Sequence, residues 1–220
     1  MNLKKYLTPA FCKKLIIVIV SVLCMGFFLS FLINVDLGTD PCTFMNLTLS
    51  GNFGISFGNW QLFLNAVLFI FVLVAGRHMI GIGTIANMVL IGYVADFCCF
   101  LWRHLIPDYV FTQEPYRAVV FAISLLGFIV SASFYMNSEM GLSPYDATSA
   151  IIGKWLPKIP FHYVRIVYDL IVVLIGVLAG SRPNIGTIVM AFTLGPMITF
   201  VGKYMTRILH PANAHEKEAC

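Results

Sequence analysis

The chain alternates long neutral, apolar stretches with short clusters of charge. Residues 15–35 and 118–138 are each 21 consecutive uncharged positions, and 183–202 are a further 20. About 20 mostly apolar residues in helical conformation bridge a hydrocarbon layer about 30 Å thick, so each stretch can cross a membrane once. Between Asp40 and Arg77 lie 36 uncharged residues, too many for one crossing and too few for two plus a turn. That run is expected to hold one crossing and something shorter. Breaks at Gly, Pro and Asn then give six crossings, at residues 15–34, 59–76, 83–102, 118–136, 161–180 and 185–208. The expected fold is an all-α integral membrane protein with six transmembrane helices.

Composition reinforces this pattern. Of 220 residues 59% are hydrophobic and 11% charged, where a soluble domain carries about 25% charged residues. A water-soluble fold is excluded, and the expected partner of most of the surface is the lipid bilayer. Orientation follows from Lys and Arg. With the N-terminus inside, the cytoplasmic side holds Lys4, Lys5, Lys13, Lys14, Arg77, Lys154, Lys158, Lys203, Arg207 and Lys217, and the far side Arg103, Arg117 and Arg182. This asymmetry obeys the positive-inside rule for a cell-membrane protein with both termini cytoplasmic. The net charge of +4 is thereby a topology signal, and no nucleic-acid partner is expected. The first apolar run is too long for a signal-peptide core and lacks an A-x-A-like site, so it is expected to remain as a crossing. The expected layout is a basic N-terminus (1–14), a first set of three crossings (15–104), a linker (105–117), a second set of three (118–208) and a disordered polar tail (209–220).

The two sets resemble each other. Gly38-Thr39-Asp40-Pro41 recurs as Gly141-Leu142-Ser143-Pro144, and Ile82-Gly83-Thr84-Ile85 as Ile185-Gly186-Thr187-Ile188, both at an offset of 103. Gly92 and Phe97 match Gly195 and Phe200, while Ile55, Phe57, Ala75 and Gly76 reappear one residue later as Ile159, Phe161, Ala179 and Gly180. Apolar resemblance by chance would not keep Gly, Pro and Thr in register over such a distance. Three crossings per copy is an odd number, so the second copy enters from the opposite side, giving inverted repeats. Such repeats build transporters with a site between the halves; they also serve as a cheap route to a stable bundle.

Two features of the repeat carry chemistry. Asp40 and Ser143 stand where N-caps are expected, with Pro41 and Pro144 at the first helical position. The first of these short helices should run from residue 41 to about 50 and stop at Gly51, about half the hydrocarbon thickness. Each is either a half-helix entering the membrane, its positive N-terminus offered to a polar group, or an amphipathic helix at the interface. The second feature is a polar pair in each middle crossing. Gln61 aligns with Arg165 and Asn65 with Asp169, each pair four apart on one helical face. An intramembrane acid left unpaired costs at least about 3 kcal/mol, which makes Asp169 a functional candidate. Arg165 can pair with it in a purely structural bridge or reach the headgroups. Asp146 can complement the dipole of the second short helix.

Other residues weigh less. Asp96 is expected to be hydrated near an interface, as is His162, and no His, Cys or acid cluster has metal-ligand spacing. Gly26 and Ser30, and Gly127 and Ser131, form small-xxx-small patterns suited to close helix packing. Trp60, Trp102 and Trp155 stand near predicted interfaces. Cys12, Cys24, Cys42, Cys98, Cys99 and Cys220 form no C-x-x-C pair and read as free thiols. Hydrolase and P-loop signatures are absent, so no enzyme and no cofactor is expected.

On Gly38-Thr39-Asp40-Pro41, Phe57-Gly58, Ile82-Gly83-Thr84 and their second copies, the chain resembles the bacterial YczE/YitT-like integral membrane proteins, in the YczE branch. The resemblance spans residues 15–208 and implies a multi-pass protein of the bacterial inner membrane, in a family of largely uncharacterised function. Within its doubled Gly-x-Ser-Pro-x-Asp pattern the second copy keeps Ser143 and Asp146. The first copy instead has Asp40 at the Ser position and Thr43 at the acid position. The expected site is a polar cavity between the halves, formed by Asp40, Gln61, Asn65, Ser143, Asp146, Arg165 and Asp169. It would hold a small polar or ionic solute in a transporter, with Asp169 as the protonatable or cation-coordinating group. The alternative is a membrane scaffold or regulator that binds a protein or lipid and moves nothing.

Overall fold

A computed structural model describes residues 8–209; the ends of the basic N-terminus and of the polar tail, with Cys220, lie outside the described residues. The described chain is helical throughout: α1 (Pro9–Val35), α2 (Pro41–Phe53), α3 (Phe57–Ala75), α4 (Ile82–Leu105), α5 (Tyr109–Thr112), α6 (Tyr116–Asn137), α7 (Pro144–Trp155), α8 (Phe161–Leu178) and α9 (Ile185–Leu209). Five helices, α1, α3, α4, α6 and α8, are long and apolar enough to cross a membrane. Residues Ile185–Ile198 of α9 form a shorter apolar stretch over the sixth expected span.

The helix boundaries follow local chemistry. Pro9 stands in the first turn of α1, where the Thr8 side chain accepts from the Phe11 N–H. Asp40 and Ser143 cap α2 and α7 as expected, accepting from the N–H groups of Thr43 and Asp146, each with a proline next. The α2 helix does not stop at Gly51 but continues to Phe53. The residue in the left-handed conformation that ends it is Gly54, with φ +64°, and Gly54 and Ile55 return their N–H groups to the Gly51 and Ser50 carbonyls. At 13 and 12 residues, α2 and α7 rise about 20 Å and 18 Å, too short to span. Neither lies on an outer surface. Phe44, Met45, Asn46 and Thr48 of α2 are buried, as are Tyr145, Ala147, Thr148 and Ile151 of α7.

The bundle has an inverted polarity, with apolar side chains outside and polar ones within. Val74, Ile185 and Leu178 are 86%, 81% and 78% exposed, while Ser30, Asn46, Thr84, Ser133 and Ser149 are almost wholly buried. Water would not tolerate that outer surface; lipid does, and the helices meet through an apolar core that includes Val18, Val22, Leu29, Ile91, Phe128 and Met190 as well as through small and polar residues. Gly26 sits against Val94 and the Ile91 carbonyl of α4, and Gly127 against Phe28 of α1, so both small-residue sites are close helix contacts. Trp102 is not simply interfacial: its indole N–H donates to the Ser30 hydroxyl at 2.8 Å.

Helix α1 packs along both α4 and α6, and α6 along α9. Contacts at both ends fix α1 and α6 as antiparallel. Lys14 at the start of α1 pairs with Glu139, just past the end of α6, at 2.7 Å. Arg117 at the start of α6 donates to the carbonyls of Val35 and Asp36, at the end of α1, at 2.9 and 2.8 Å. Asp36 and Glu139 share a left-handed backbone, with φ of 50° and 58°.

A second pair of contacts ties the loops before the short helices to the opposite set of crossings. Gly186 donates its N–H to the Leu37 carbonyl at 3.1 Å, and Gly83 donates to Met140 at 2.8 Å. The Thr39 N–H also donates to the Thr187 hydroxyl at 3.1 Å. These approaches need glycine, since a Cβ on Gly38 would meet the backbone of Gly186 and Thr187, and one on Gly141 would meet Gly81 and the Thr84 hydroxyl. The short helices are exchanged in the same manner: α2 packs on α8, and α7 on α3.

Candidate functional site

The loops leading to α2 and α7 deliver both helix N-termini to the middle of the bundle, where they border one cavity of about 80 Å³. Six of the seven expected residues line it: Asp40, Gln61, Asn65, Ser143, Asp146 and Arg165. The seventh, Asp169, is only 1% exposed and lies behind the wall, reached through Arg165 and Tyr145. The cavity thus brings together residues more than 100 positions apart in sequence.

One side of the cavity is a closed network. Arg165 donates from Nη1 to Asp146 Oδ1 at 2.6 Å and from Nε to Asp169 Oδ2 at 3.1 Å. The same Nη1 lies 3.0 Å from the Ser149 hydroxyl. Tyr145 donates to Asp169 Oδ1 at 2.6 Å, and its ring lies 5.2 Å beneath the guanidinium carbon, a favourable cation–π geometry. Ser143 donates to Asp146 Oδ2 at 2.6 Å while accepting the Asp146 N–H as the α7 cap. Arg165 therefore does not extend to a headgroup. Its Nε and Nη1 are engaged by two carboxylates and a hydroxyl, including the bridge that the i,i+4 spacing of Arg165 and Asp169 allowed.

The other side is unfinished. Asp40 is 9% exposed and accepts the Thr43 N–H at 3.1 Å through Oδ2, but among the described residues its Oδ1 has no partner, nor does the Gln61 Oε1, which is likewise buried. Buried oxygens without donors are costly and rare. The carboxylate that lacks a cation among the described residues is thus Asp40 and not Asp169.

Tyr145 and Asn87, which also line the cavity, had no place among the expected site residues. Asn87 had a signal of the same kind as Asn65, an amide inside an apolar run; Tyr145 follows the proline of the second repeat motif. Asp96, read as a hydrated interfacial acid, accepts the Gly58 N–H at 2.8 Å and so holds the start of α3. No group of three or more His, Cys, Asp or Glu side chains suited to a metal ion occurs among the described residues.

Comparison with known proteins agrees with a membrane protein of uncharacterised function. The chain is 25% identical over 186 residues to the uncharacterized membrane protein YczE of Bacillus subtilis, covering 83% of this chain and 82% of that protein. An uncharacterized protein of Haemophilus influenzae is 24% identical over 176 residues, covering 79% and 76%. No solved structure matches. The model of a family of unknown function, DUF6198, matches residues 12–203, and the chain belongs to that family.

Proposed function

We propose that the chain is a transporter of a small polar or ionic solute, without enzymatic activity, built from two inverted three-crossing repeats with the binding site between them. Here α9 is the sixth crossing, both termini face the cytoplasm and the membrane is the bacterial inner membrane. Inversion is supported by the antiparallel α1 and α6, and by paired contacts that recur 103 residues apart: Lys14 with Glu139 and Arg117 with Asp36, Gly186 with Leu37 and Gly83 with Met140. The observation that carries the transport reading is the meeting of two buried half-helix N-termini at one polar cavity. In secondary transporters, discontinuous helices point their ends at a midplane site, and irregular backbone at membrane depth is tolerated where it lines a cavity. A scaffold has no need for buried oxygens without donors.

Reporter fusions at Asn52 and Lys154 test the inversion, with the two positions expected on opposite membrane faces. Transport is tested with the purified protein in liposomes, by solute counterflow across a panel of small cations, anions and neutral polar molecules. Saturable flux in the native protein and its loss in Asp40→Asn are expected. Absence of flux for every solute, together with capture of a defined protein partner, favours the scaffold.

A further inference from the structure

We propose that the cavity ligand is a small organic cation carrying N–H donors, of the alkylammonium or guanidinium class, with the Asp40 carboxylate as its counter-charge and the Gln61 carbonyl as its second acceptor. This rests on the reading of the cavity as a solute site and adds the chemistry of the solute. Part of the donor capacity of the site is already engaged. The α2 and α7 N-termini are capped by their own Asp40 and Ser143 side chains, and the Arg165 fork is held by Asp146, Asp169 and Ser149. Two acceptors are not engaged: Asp40 Oδ1 and Gln61 Oε1, in residues 91% and 93% buried, have no partner among the described residues.

Charge points the same way. Three carboxylates, Asp40, Asp146 and Asp169, surround a single guanidinium, and both ion pairs of Arg165 go to the last two. In a low-dielectric interior a carboxylate with no ion-pair partner, its charge offset only by the end of α2, attracts a cation. Size and surface narrow the class. A cavity of 80 Å³ has room for several waters at about 10–15 Å³ each, or for a ligand of a few non-hydrogen atoms. Met25, Phe128 and Leu194 give it an apolar wall, which suits a short alkyl group or a planar guanidinium edge better than a bare metal ion.

The test is calorimetric titration of the full-length protein in detergent and amine-free buffer with methylammonium, ethylammonium and guanidinium chlorides, with sodium chloride and sodium acetate as controls. Saturable binding of at least one N–H cation is expected, weakened about ten- to a hundredfold by Asp40→Asn, the value of a hydrogen bond to a charged group. Gln61→Met should weaken it about threefold or more and serves if the Asp40 variant fails to fold. No saturable response of the folded native protein to any N–H cation overturns the proposal, as does equal binding by both variants or tighter binding of acetate. Guanidinium counterflow in liposomes separates the two readings. Binding without counterflow keeps the cation site and removes transport, whereas Asp40-independent flux of an anionic or neutral solute keeps transport and removes the cation.

Discussion

Asp40 and Asp169 are both buried aspartates beside one cavity, yet replacing each with asparagine should move stability in opposite directions. At position 40 the carboxylate has one backbone donor and no cation. Removing an unpaired charge from the membrane interior recovers about 3 kcal/mol. Loss of the charge-assisted part of the Thr43 bond returns about 1–2 kcal/mol, and the capping function survives because Asn caps as well as Asp. The net expectation is a gain of about 1–2 kcal/mol. At position 169 the carboxylate accepts from Tyr145 at 2.6 Å and from Arg165 at 3.1 Å. Asparagine keeps one acceptor and leaves its amide against the other donor, at a cost of about 1–3 kcal/mol. Unfolding in graded sodium dodecyl sulfate, or thermal inactivation half-lives where unfolding is irreversible, measures both variants in one detergent. A loss of more than about 1 kcal/mol in Asp40→Asn would show that its charge is compensated, and the account of the site as short of a cation would fall with it.

Other outcomes follow from the same contacts. Arg165→Met strips both Asp146 and Asp169 of their partner and should cost about 3–5 kcal/mol; adding Asp169→Asn should recover more than about 1 kcal/mol of that, read as the coupling in a double-mutant cycle. Gly38→Ala combines φ +132° with a collision against Gly186 and Thr187 and should lower stability by about 2 kcal/mol or more. Gly51→Ala, within α2 and with open space around its Cβ, should instead raise it by about 0.5–1 kcal/mol. Equal effects at the two glycines would refute the docking role assigned to the Gly38 turn.

Much of this protein is written in linear form. Apolar runs bounded by Gly, Pro and charge marked the five long apolar helices α1, α3, α4, α6 and α8 to within a few residues, because backbone groups in lipid are satisfied by continuous helix and little else. Asp40-Pro41 and Ser143-Pro144 announced the starts of α2 and α7 through capping that involves only neighbours. The i,i+4 spacing of Arg165 and Asp169 likewise anticipated their bridge. Other properties depend on positions far apart in the chain. Gly54 rather than Gly51 ends α2, since the choice between two glycines rests on which one the following turn holds left-handed. Burial of the short helices within the bundle comes from α2 lying against α8 and α7 against α3. Above all, residue types alone could not assign partners among the polar side chains. Asp146 claims part of Arg165 only because α8 folds back against α7, and that allocation leaves the spare charge on Asp40 instead of Asp169.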